Sequence, residues 1–437
     1  MSIRTAAGFM TAGFLLGLTL LPLSCAGEMN RPSVVLIIID TLRADHLSCR
    51  GYHRDTSPTI DSLARDGVMM ENAVSQSSWT LPAMTTIMSG VTPVSHGARI
   101  DVPTGRVYGM DRGMPVLSTI MKEHGYATAG FFNVYFLGAD FGFHRGFDVF
   151  QCRDNGDGMA DSTVTAAIEW MEELPPEEPF FLALHLFDPH DPYDPPEPYD
   201  RLYTDPGAGE EVFWEFTPEG GVARPGQLDH LRNLYDGEIA WVDLQLGQLF
   251  STVRELDSEN EILVVLTADH GEEFLEHGYV GHGRTFYPEI TEVPLILSGM
   301  EELDSLDNTA LCGQHDILPT ILDLCSIAPP EPVEGRSLFR LKGEGVRTVP
   351  SSGINTGSHF NQVSVRSRGK QLIWNADFDN TEMYRLRSDP MAQDPVEPDT
   401  AMLEKALRYW STPLRYSPVL LEDWKVTPVL RDLGYIR

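Results

Sequence analysis

Residues 34–39 form an unbroken apolar run, VVLIII, rich in β-branched side chains, and the run stops at Asp40. A parallel strand buried on both faces reads this way. Residues 180–186 and 262–266 repeat the pattern, and 293–297 add a further strand. Helical stretches are predicted between them, over 59–66, 84–88, 161–173, 234–256 and 316–325. Strands alternating with helices predict an α/β fold, with a mostly parallel central sheet and helices on both faces. Open sheets of this kind place their sites beyond the carboxyl ends of the strands. Asp40, residues 188–190 and the pair Asp269–His270 all fall there, so three separate segments deliver polar groups to one edge.

The pattern changes towards the C-terminus. Residues 329–332 are loop-like, and beyond about residue 341 short strand-like pieces appear at 362–365 and 371–374. They predict a main domain over 31–340 and a small antiparallel subdomain over 341–390. Residues 388–400, rich in Pro and Asp, read as a loop. The tail over 391–437 becomes helical from Met402 and then irregular. No internal repeat is visible.

Charge narrows the partners. Sixty-four Asp and Glu against 32 Lys and Arg give a formal charge of −32. Such a surface repels nucleic acid and anionic headgroups. It also repels an anionic substrate unless the site cancels the field locally, as a bound cation would. Residues 1–25 read as an export signal: Arg4 is the positive start, 9–23 are apolar, and small residues follow at Ser24, Cys25, Ala26 and Gly27. Leu23-Ser24-Cys25 fits a lipoprotein box, which would anchor the chain to a membrane through a lipidated Cys25; Pro22 departs from it, and the alternative is cleavage after Ala26. The expected destination is the periplasm, the cell surface or the medium. Cys49, Cys152, Cys312 and Cys325 lack the close spacing of a zinc knuckle. Cys312 and Cys325 are either paired or simply buried. No obligate protein partner is readable.

The candidate chemistry sits at the strand ends. Asp40 is either a metal ligand or a helix cap, since Asp suits both. Asp269-His270-Gly271 supplies oxygen and nitrogen ligands and a tight turn, which suits a divalent cation. Thr80 lies two residues before Pro82 and a helix start, where backbone N–H groups favour an anion. Its bland role is that of a cap. A metal within reach would make its hydroxyl a nucleophile.

Residues 35–52 (VLIIIDTLRADHLSCRGY), 80–90, His96-Gly97 and 186–196 (LFDPHDPYDPP) resemble the sulfatase family of the alkaline phosphatase superfamily. So do 235–243 (YDGEIAWVD), 266–273 (LTADHGEE), 282–294 (HGRTFYPEITEVP), 316–320 and 335–338. The blocks follow the family's order from about residue 31 to 390. The resemblance implies metal ligation by Asp40, Asp269 and His270, with Thr80 at the nucleophile position and also a metal donor. It implies that His190 and His282 face the ester, one orienting the transferred group and the other protonating the leaving oxygen. Taken alone, these histidines read as a loop and a turn residue. Arg43 and Arg284 are candidates for meeting substrate charge, or for pairing with nearby acids.

Departures from the family pattern matter equally. Sulfatases carry C-x-P-x-R or S-x-P-x-R here, whose first residue becomes formylglycine, whereas this chain has Thr80 and Met84. The usual Asp pair after the first strand is reduced to Asp40-Thr41. No formylglycine is expected, and a Thr nucleophile resembles the phosphodiesterases and phospho-group transferases of the superfamily. The expected activity is hydrolysis of a sulfuric ester or a phosphate mono- or diester on a small molecule, glycan or lipid headgroup. The ion would be Ca, Mg, Mn or Zn. The alternatives are a transferase that passes a phospho-group to a glycan or lipid alcohol, and a non-catalytic binder of anionic glycans.

Overall fold

All seven residues of Ser33–Ile39 (β1) are buried, as a strand covered on both faces requires. The structure, a computed structural model, describes residues 31–101, 106–153, 160–204, 227–257, 261–343, 347–353 and 361–421. The expected export signal over 1–25, with Cys25, lies outside these residues. The other strands of the central sheet are Val68–Met69 (β2), Ala127–Phe132 (β3), Val149–Cys152 (β4), Phe180–Leu186 (β5), Ile262–Ala268 (β6) and Leu295–Ser298 (β7). The seven strands lie in the order β2-β7-β6-β1-β5-β3-β4. β6, β1, β5, β3 and β4 run parallel, while β7 is antiparallel to both β6 and β2. The mixed α/β architecture read from the sequence is the one found, with an antiparallel edge and three further strands.

Pro58–Asp66 (α1), Thr80–Ser89 (α2), Leu117–Glu123 (α3), Ala160–Glu172 (α4), Gln227–Asp257 (α5) and Ile317–Leu324 (α6) are the helices that accompany the sheet. All ten residues of α2 are buried. It stops at Gly90, whose φ of +68° lets its N–H reach the Thr86 carbonyl. No helix among the described residues is long and apolar enough to cross a membrane. Cys312 and Cys325 are buried and form no disulfide with each other, so of the two sequence alternatives simple burial is the one found.

Thr348–Gly353 (β8), Gln362–Ser367 (β9), Lys370–Asn375 (β10) and Asn380–Tyr384 (β11) form a C-terminal antiparallel sheet. Thr400–Trp410 (α7), capped by Asp399, lays Met402 and Ala406 against Val363, Val365, Leu372, Trp374 and Met383. This sheet fastens two loops of the main domain. The Ser351 hydroxyl donates to the Ser75 carbonyl, and the Ser352 N–H donates to the Gln76 carbonyl at 2.9 Å. The Gln362 side chain donates to the Arg284 carbonyl at 3.2 Å, and that of Gln371 to the Phe286 carbonyl.

Candidate active site

Strand register brings the polar groups together. Ile39 pairs with Ala268 on β6 and with Leu186 on β5, so Asp40 and Asp269 leave neighbouring strand ends. Ile38 pairs with His185. Alternation along β1 puts Ile38 and Asp40 on one face, and His185 therefore shares the face of Asp40. His185 Nε2 lies 3.5 Å from Asp40 Oδ2. His270 Nε2 lies 3.7 Å from Asp40 Oδ1 and 3.2 Å from Asp269 Oδ2. All four residues are fully buried.

These carboxylates are short of donors. Asp269 Oδ1 accepts from the N–H groups of Thr41 and His270, at 3.1 and 2.7 Å. Asp269 Oδ2 and both oxygens of Asp40 have no hydrogen-bond partner, nor has either nitrogen of His185. Burial, then Asp269 and Glu272, hold the Asp40 carboxyl well above its ordinary range. Burial would raise Asp269 too, but the neighbouring His270 prevails and lowers it. Burial pushes the His185 imidazole down to about 4. Buried carboxylates without donors are costly unless a cation lies among them, so the residues present fit a divalent ion.

Thr80 opens α2, and Trp79 at the cap position before it does not cap the helix with its side chain. The Thr80 hydroxyl lies 3.4 Å from His270 Nε2, at the open N-terminus of the helix and beside the carboxylate cluster. The Gly283 N–H donates to the Ser78 carbonyl at 2.7 Å, which ties the His282 loop to the Thr80 segment.

From Thr80 a line of imidazoles leads outward. The rings of His270 and His282 are 4.5 Å apart, and those of His282 and His190 are 4.8 Å apart. His190 stacks on Phe187 at 4.5 Å. His282 Nδ1 lies 3.1 Å from Glu272 Oε1. Burial, then His270, pushes His282 down to about 3. Burial pushes the Glu272 carboxyl up to about 7.

The two arginines part company. Arg43, 2% exposed, grips Asp45 at 2.9 and 2.8 Å, Glu276 at 2.8 Å and the Glu272 carbonyl at 3.1 Å. Of the two roles open to it, pairing with nearby acids is the one the structure displays; its guanidinium braces the Glu272 loop. Arg284 is partly exposed beside His282 and lies over the Tyr279 ring at 5.9 Å. Sequence reasoning missed His185 and Glu272. The signal for His185 was a single polar residue inside the apolar run FFLALHL.

The sulfatase family profile matches residues 32–327. The chain belongs to the sulfatase family. An arylsulfatase of Clostridium perfringens is 22% identical over 82% of this chain and 89% of its own length. A Delta 4,5-hexuronate-2-O-sulfatase of Bacteroides thetaiotaomicron is 23% identical over 85% of this chain and 87% of its own. The phosphonate monoester hydrolase of Agrobacterium radiobacter shares the fold, with a TM-score of 0.67 at 20% identity over 87% of this chain and 94% of that one. This sulfatase-family chain is accordingly an ester hydrolase of the alkaline phosphatase superfamily. Met84, four residues after Thr80 on α2, is fully buried in the core.

Proposed function

We propose that this chain is an exported, metal-dependent hydrolase in which Thr80 attacks the phosphorus of a phosphate mono- or diester. The observation that carries the reading is the placement of the Thr80 hydroxyl, 3.4 Å from His270 Nε2, at the N-terminus of α2 beside the unpartnered oxygens of Asp40 and Asp269. A divalent ion on Asp40, Asp269 and His270, with Thr80 as a further donor, would lower the hydroxyl's pKa and offset phosphoryl charge. The first-turn N–H groups of α2 orient the equatorial oxygens of the transferred group. His282 Nε2–H protonates the leaving oxygen while Glu272 returns a proton to Nδ1, a relay that suits the raised carboxyl and the lowered imidazole. His190 orients the transferred group. Water then cleaves the phospho-threonine; its proton passes to His282, and Glu272 is reprotonated.

The test sets nitrophenyl sulfate, phosphate and phosphodiester side by side on metal-loaded protein, with Thr80→Ala and Thr80→Ser. Phosphoester cleavage should fall at least about 1,000-fold in Thr80→Ala and persist in part in Thr80→Ser. Sulfate release that survives Thr80→Ala would instead make water the attacking group and sulfate the substrate. For export, Triton X-114 partition into the detergent phase should be lost in Cys25→Ser; a wild-type chain found in the aqueous phase removes the lipid anchor.

A further inference from the structure

His185 is an odd residue for its place. It lies inside β5, fully buried, in a strand whose six other residues are apolar. A buried imidazole without hydrogen bonds is costly, and native interiors satisfy nearly all such groups. Neither ring nitrogen of His185 has a hydrogen-bond partner. Asp40 Oδ2 lies 3.5 Å from its Nε2. One ligand atom each from Asp40, His185 and Asp269 lies within 4.8 Å of the others. Apolar side chains fill the rest of β5 at no such cost, so the imidazole calls for a partner that protein atoms do not provide.

We propose that His185 is a metal ligand, making this a two-imidazole, two-carboxylate site that selects a first-row transition ion such as zinc, manganese or cobalt over calcium. The inference rests on the metal reading given above. Donor spacing supports it. Ligands about 2.0–2.1 Å from a four- or five-coordinate ion stand roughly 3–4 Å from one another. The spacings are 3.5 Å from His185 Nε2 to Asp40 Oδ2, 3.7 Å from His270 Nε2 to Asp40 Oδ1 and 3.2 Å from His270 Nε2 to Asp269 Oδ2, so Asp40 turns one oxygen to each imidazole. Calcium prefers six to eight oxygens at longer range, and neutral imidazole suits borderline ions better. The backbone adds a further argument: the Ile38–His185 pairing fixes the imidazole on a sheet strand, so the donor is positioned before any ion arrives.

The experiment loads the full chain with Zn²⁺ or Co²⁺ and reads coordination directly. X-ray absorption of the zinc protein should show two imidazoles, and Co²⁺ should give visible d–d bands that millimolar Ca²⁺ does not bleach. In His185→Asn the Co²⁺ affinity should fall more than about 100-fold, with an altered spectrum. One imidazole per zinc overturns the proposal, as does Co²⁺ affinity unchanged in His185→Asn or displacement of Co²⁺ by comparable Ca²⁺. If His185→Asn does not fold, the count of imidazoles in the wild-type protein decides the matter alone. Failure of the wild-type chain to bind any divalent ion at one equivalent would overturn the metal reading itself, a result distinct from zinc bound through a single imidazole.

Discussion

Gly271 separates His270 from Glu272, and its backbone lies hard against the next loop. A Cβ added there would stand 1.9 Å from the Glu289 carbonyl oxygen, while the Gly271 N–H already donates to Ile290 at 2.8 Å. Gly271→Ala must push the two segments apart. It should destabilise the fold by about 1–3 kcal/mol and lower kcat/KM by displacing His270, measured by thermal unfolding beside ester turnover. At this scale the candidate site was half legible. Asp40 and Asp269–His270 could be read because each ends an apolar run. Thr80 could be read because Pro82 marks a helix start. His185 could not, because which face of the sheet it occupies depends on the pairing of Ile38 with His185, a tertiary fact. Glu272 was hidden for a similar reason: its importance comes from burial and from His282, ten residues away.

Between elements, two neighbouring carboxyls, Glu238 and Asp188, hold the His190 loop. Glu238 on α5 accepts from the Asp194 N–H at 2.8 Å, and Asp188, ahead of His190, accepts from the Ala160 N–H at 2.9 Å. Burial, then Asp188, pushes Glu238 up to about 9, and burial pushes Asp188 up to about 6. A raised folded pKa contributes stability that is complete below the unfolded value near 4.5 and is lost as pH rises through 9. Glu238→Gln keeps the acceptor for the Asp194 N–H without the charge. It should flatten the fall of Tm between pH 5 and 9 and raise Tm at pH 8.5, as differential scanning fluorimetry would show; an unchanged slope would place the titration elsewhere. Elements with a strong apolar signature were readable, among them β1, β5 and β6. Strand β3 was not, because ATAGFF offers Ala and Gly where β-branched side chains give the usual signal. Helix α2 begins four residues before the predicted stretch over 84–88, because tertiary burial of all ten residues overrides the weak propensity of its threonines.

For the whole molecule, the formal charge of −32 opposes the approach of any anionic ester. Added salt screens that repulsion over about 10 Å at 0.1 M. kcat/KM for a nitrophenyl phosphoester should therefore rise between 10 and 200 mM NaCl with kcat little changed, in initial-rate measurements. A fall would show that local cations at the site, such as Arg284, outweigh the global field. Composition showed this imbalance plainly, whereas the joining of the C-terminal sheet to the rest depends on hydrogen bonds that no sequence pattern records.

That joining also orders events in time. The contacts that fasten residues 75–76 and 284–286 come from Ser351, Ser352, Gln362 and Gln371, all encoded after the reacting groups themselves. A ribosome that has already made Thr80, Asp269 and His270 has yet to make the strands that hold their neighbours in place. The supports of the candidate site are thus made late in the growing polypeptide, well after the reacting groups they hold in place.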